Sequence, residues 1–154
     1  MSKKEANVTR IAVLVSGGGS NLQSIIDKVH ESDIAAEICC VISNKKQVYA
    51  LDRAQLARIS AVVVDSSAYT ERKLFEQALL EELKQHQTDV IVMAGFMRVL
   101  SAEFIAHYTG RILNIHPSLL PEFTGLHTHQ RALAAGKKTH GCSVHFASAE
   151  LDGG

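Results

Sequence analysis

The stretch RIAVLVSGGGSNLQSIIDKVH, residues 10–30, decides the architecture. Residues 11–15 form an unbroken apolar, β-branched run, the pattern of a strand buried on both faces. Three glycines follow within Ser16–Asn21. Residues 20–30 then take up helical periodicity, and Ser20 followed by Gln23 fits a capping box at the helix start. A strand buried on both faces requires helices on both sides of its sheet, so the rest of the chain must alternate in the same way.

It does. Residues 36–43 (AEICCVIS) read as a second buried strand, 48–59 as a helix and 60–65 (SAVVVD) as a third strand. Residues 70–86 form the clearest helix, with Phe75, Leu79 and Leu83 on one stripe. Strands four and five fall at 88–96 and 110–116, with a short helix, SAEFIAHY, between them. A helix at 127–136 is stopped by Gly136, and a last strand occupies 141–148. The alternation implies an α/β fold: a doubly wound, mostly parallel sheet with helices on both faces. Ligands bind beyond the carboxyl ends of strands in such sheets. That rule places Ser16–Asn21, Ala94–Arg98 and Asn114–Pro121 on one rim.

The 154 residues suit one domain, with residues 1–9 expected as a flexible N-terminus ahead of a domain at 10–154. Formal net charge is zero and Trp is absent, which leaves no electrostatic or stacking case for nucleic acid or an anionic membrane surface. No apolar run reaches the length of a membrane span, and the N-terminus has no apolar core of a signal peptide. Cys39, Cys40 and Cys142 show neither metal spacing nor even pairing, which fits a reduced, cytoplasmic compartment.

Two groups of residues on the rim carry chemistry. The SGGGSN loop, joining a strand to a helix, is suited to a phosphate, because glycines admit close approach and helix N-terminal amides favour an anion. It departs from a dinucleotide fingerprint: Leu22 stands where a third glycine would be, and Ser43, Asn44 and Lys45 replace the ribose-binding acid after strand two. A monophosphate fits better. The second group is Asn114 and His116. Positions two apart on a strand face one way, so both point into the ligand crevice, and Pro117 ends the strand behind them. An imidazole there can move protons and an amide can bond a carbonyl oxygen. A third segment, Glu150–Gly154 (ELDGG), reads on its own as a surface turn, although Asp152 could orient an imidazole and stabilise its protonated form. His127, His129, His140 and His145 lack the spacing of a metal site, so no metal is expected.

SGGGSNLQSII, MAGFMRVLS, RILNIHPSLLPEFTGLHTHQRAL and HGCSVHFASAELDGG, taken together, resemble phosphoribosylglycinamide formyltransferases. The match runs in order from about residue 10 to residue 154. NIHPSLLP is shared with the wider formyltransferase group, whereas the loop start and Gly-Leu-His-Thr-His favour the glycinamide ribonucleotide enzymes. The resemblance implies a Rossmann-like fold and transfer of a formyl group from 10-formyltetrahydrofolate, a co-substrate, to the amine of glycinamide ribonucleotide in purine biosynthesis. It implies a catalytic set at Asn114, His116 and Asp152 and a phosphate loop at Gly19, Ser20 and Asn21. It places folate contacts at Arg72, at Met97, Arg98, Val99 and Leu100, at Asn114, and at Ala147, Ser148, Ala149, Glu150, Leu151 and Asp152. Neither nucleic acid nor membrane is an expected partner, and a homodimer is compatible with the resemblance.

The family's chain continues past Asp-Gly-Gly with further strands and C-terminal helices, so this chain is expected to be truncated there. Thr124 stands where relatives often carry proline. Rival readings are another folate-dependent formyltransferase, a formyltetrahydrofolate deformylase, and a nucleotide-binding fragment without catalysis. The deformylase carries a regulatory domain ahead of the catalytic one, where only nine residues precede the first strand here. The tRNA-directed enzyme carries an RNA-binding domain after it, with no counterpart in this sequence.

Overall fold

A computed structural model describes residues 7–153. Six strands form one sheet in the order β3-β2-β1-β4-β5-β6. They are β1 (Thr9–Val15), β2 (Ala36–Ser43), β3 (Ala61–Val63), β4 (Val90–Met93), β5 (Ile112–His116) and β6 (Ser143–Phe146). The first five run parallel, and β6 lies antiparallel to β5. Five helices connect them: α1 (Ser20–Glu31), α2 (Tyr49–Leu56), α3 (Arg72–Gln85), α4 (Ala102–His107) and α5 (Thr128–Ala134).

The double-sided burial expected of β1 is explicit. Ala12 and Leu14 enter one core with Ile42, Phe75, Leu79, Leu83, Ile91 and Phe104, beneath α3 and α4. Val13 and Val15 enter the other with Leu22, Ile26, Val41, Ala50 and Ala54, beneath α1 and α2. Residue alternation thus sends one strand into two cores, and both cores exclude water from Ala12 to Val15.

Several boundaries differ from the sequence reading. Thr9 already belongs to β1, paired with Ala36, so the strand begins one residue before the expected boundary, and residues 1–6 of the expected flexible N-terminus lie outside the described residues. The capping box does not form. Gly19 occupies the N-cap in a left-handed conformation (φ 78°) with no side-chain cap, so Ser20 becomes the first helical residue. Gln23 is drawn away to Asp27 and Arg53. Helix α2 ends early because Arg58 turns left-handed (φ 59°), and β3 is only an edge strand of three residues.

The strand order reverses between β1 and β4. The chain runs outward one way through β2 and β3 and the other way through β5 and β6. Such a switch point leaves a crevice at the carboxyl ends, because the two flanking loops depart in opposite directions.

Candidate active site

Two loops flank the switch point, and one side chain ties them together. Ser16, at the end of β1, donates its hydroxyl to Asn44 Oδ1 at 2.5 Å and accepts from the Met97 amide at 2.8 Å. Asn44 donates in turn to Ser66 Oγ at 3.3 Å. Ser16 and Asn44 are both buried, and this satisfied polar network fixes the ends of β1, β2 and β4 relative to one another.

A cavity of about 720 Å³ opens beside the Met97 loop. Its walls are largely apolar, from Met93, Phe96, Met97, Val99, Leu100, Ile105, Leu126 and Leu151. Asn114, His116, His145 and Asp152 supply a polar end. The volume lies in the range of pockets that enclose a small organic ligand.

The polar end is built on β5 and β6. Asn114 and His116 share a face of β5, as their spacing requires. His145 sits directly opposite Asn114 across the antiparallel ladder. The Asn114 amide nitrogen lies 3.4 Å from His145 Nε2. His145 Nδ1 lies 3.1 Å from the Phe146 carbonyl. If Nδ1 carries the proton, Nε2 accepts one Asn114 N–H and leaves the other directed at a ligand.

His116 is 5% exposed. Its Nδ1 stands 3.3 Å from Asp152 Oδ1 and its Nε2 2.8 Å from the Phe123 carbonyl oxygen. Two acceptors therefore face the two ring nitrogens. A neutral imidazole can donate to only one of them; the doubly protonated ring donates to both. Asp152 Oδ2 accepts from the Gly125 amide at 2.9 Å, and the carboxylate side chain is only 5% exposed. Read alone, Glu150–Gly154 was a surface turn; the structure instead folds Asp152 inward, in a left-handed conformation (φ 54°), onto the histidine.

Of the residues expected to contact folate, Met97–Leu100, Asn114 and residues 147–152 all line the cavity. Arg72 does not. It opens α3 with its Nε 3.5 Å from Glu76 one turn on, beside a neighbouring hollow. Gly19, Ser20 and Asn21 lie at the N-terminus of α1, on the same rim as the cavity but outside its walls. Sequence reasoning missed His145, Phe123 and Gly125. Alternation within Ser143–Phe146 could have flagged His145, but only once β6 was known to run antiparallel against β5. The other two act through backbone groups, which no residue type advertises. Of the other histidines, His127 and His129 also line the cavity, and the rings of His129 and His140 pack edge to face, 4.8 Å between centroids.

Comparison with known proteins bears on this geometry. A family model described as formyl transferase matches residues 9–154. The phosphoribosylglycinamide formyltransferase of Escherichia coli is 49% identical over 144 residues, spanning 94% of this chain and 68% of that protein. Its counterpart in Haemophilus influenzae is 48% identical over 145 residues, with the same shares of 94% and 68%. Among solved structures, glycinamide ribonucleotide transformylase 1 from Symbiobacterium toebii superposes with a TM-score of 0.93 at 42% identity, covering 97% of this chain and 71% of that one.

Proposed function

The chain belongs to the formyl transferase family, and from that premise we propose that it moves the formyl group of 10-formyltetrahydrofolate onto the primary amine of glycinamide ribonucleotide, a step of purine biosynthesis. The observation that carries this reading is the meeting of Asn114, His116 and Asp152 at the polar end of an apolar-walled cavity. The cavity suits a folate: its apolar walls, Met97, Val99 and Leu100 among them, match an aromatic ring system.

Each residue then has a chemical task. Asn114 presents an amide N–H to the formyl oxygen as the amine adds and negative charge builds there, an interaction worth most in a site shielded from water. Asp152 holds His116 through Nδ1, fixing the ring's orientation. Nε2 is the nitrogen left to work. To deliver its proton to the departing folate nitrogen, His116 exchanges the Phe123 carbonyl for that nitrogen. The amine loses a proton as it becomes an amide, and that proton, directly or through water, restores the one His116 gave to the folate nitrogen, so the balance closes without a covalent intermediate. Gly19, Ser20 and Asn21 hold the ribonucleotide phosphate at the start of α1 and bring its amine to the rim.

We place this activity in the cytoplasm. Cys39, Cys40 and Cys142 are all free, as expected of a reducing compartment. No helix among the described residues is long and apolar enough to cross a membrane.

The test is product identity. Incubation with both substrates, followed by mass spectrometry, should show a formylated ribonucleotide that forms only when both are supplied. Release of formate with no formylated ribonucleotide would replace transfer by hydrolysis and favour a deformylase.

A further inference from the structure

We propose that Arg53, on α2, is a positioning residue for the phosphate loop, turning its amides toward the anion; this rests on the phosphate reading given above. The loop is held from behind by α2. The Ala50 amide donates to the Gly17 carbonyl at 3.1 Å, and Arg53 Nε donates to the Gly18 carbonyl at 2.8 Å. In a trans peptide the C=O and the following N–H point in opposite directions. Two successive carbonyls fastened to α2 therefore turn the amides of Gly18 and Gly19 away from it, toward the side on which α1 presents the amides of Ser20 and Asn21. None of these four amides donates to a backbone or side-chain acceptor among the described residues. The guanidinium is itself held, by Gln23 Oε1 at 3.3 Å and by the Tyr49 ring at 4.6 Å, so it is a fixed clamp rather than a mobile charge.

The glycines support the same division of labour. A Cβ at Gly19 would stand 2.7 Å from Ala50 Cβ, so glycine there serves the close approach of α2. A Cβ at Gly18 would meet nothing within 4 Å, and its φ lies outside the left-handed region. Neither packing nor backbone angle accounts for glycine at 18. A side chain there would stand in open space beside the amides of Gly18 and Gly19, where an approaching anion must come close.

The experiment is an amide-resolved titration of ¹⁵N-labelled protein with ribose 5-phosphate, with ribose as the phosphate-free control. In the wild type the Gly18–Asn21 amides should shift with ribose 5-phosphate and not with ribose. Arg53→Gln should bind about tenfold more weakly, the effect of losing one orienting hydrogen bond. Its Gly18 and Gly19 amides should already be displaced before ligand is added. The ratio to wild type should persist at high salt, where a purely electrostatic contribution is screened. Gly18→Ala should keep the wild-type fold and thermal midpoint yet bind at least about tenfold more weakly. Unchanged affinity in either variant, or a loss in Arg53→Gln that disappears at high salt, overturns the positioning role while leaving the phosphate site standing. A wild-type loop that ignores ribose 5-phosphate overturns the phosphate reading and this inference together.

Discussion

Asp152→Asn is the substitution whose consequences the geometry specifies most fully. The wild-type carboxylate accepts from the Gly125 amide at 2.9 Å and faces His116 Nδ1 at 3.3 Å. An asparagine oxygen can keep the first contact. Its NH₂ group then faces Nδ1, which must accept instead of donate, and the ring's single proton is left on Nε2 against the Phe123 carbonyl. Losing a hydrogen bond to a charged group costs about 1.5–3 kcal/mol of stability, which lowers the melting temperature by about 3–12 °C in a chain of this size. The effect on catalysis should be larger. A neutral ring holding that single proton is a far weaker acid than one donating to both acceptors, and losing an effective general acid costs a factor of about 10²–10⁴, or about 2.7–5.4 kcal/mol of barrier. Steady-state assay of the formylated ribonucleotide should therefore show kcat falling by about 10²–10⁴ with both KM values within about threefold of wild type. An Asp152→Asn protein with wild-type kcat, or one in which only the folate KM rises, would refute the reasoning and leave Asp152 as a wall of the cavity.

Other outcomes follow from single features. Gly19→Ala forces a Cβ to within 2.9 Å of the Ala50 backbone at a φ of 78°, and denaturant titration should show a loss of about 2–4 kcal/mol. Leu79→Ala empties a fully buried position between α3 and the sheet, and the same titration should show a loss of about 2–5 kcal/mol without a change in the family's chemistry. Asp65 is held below the usual carboxylate range by the hydroxyl and amide of Ser67. A depressed folded pKa contributes stability above the unfolded value and loses it as pH falls through the folded one. Acid unfolding curves should therefore show wild type losing its advantage over Asp65→Asn below about pH 4, with no crossing at neutral pH.

The sheet was legible because β1 is apolar without a break, and that pattern has few meanings. The crevice followed from strand order. The facing of Asn114 and His116 followed from a spacing of two. What lay beyond reach was set by backbone rather than by residue type. Gly19 took the N-cap that Ser20 was expected to fill because only glycine could pass so close to Ala50. Asp152 sat in a short segment with no periodicity, so nothing local showed that it would turn inward to His116; a carboxylate could orient an imidazole, but only family resemblance named His116 as its partner. His145 depended on the direction of β6, which four residues cannot announce. Arg72, which the resemblance set on the folate, lies beside Glu76 and does not line the cavity.

The central claim is that His116 carries a proton for formyl transfer. Its most direct test is the single-turnover rate of His116→Ala with both substrates saturating, on protein whose folate affinity and circular dichroism match wild type. The rate should fall by at least about 100-fold, as expected for loss of a general acid. A rate equal to wild type would contradict the account.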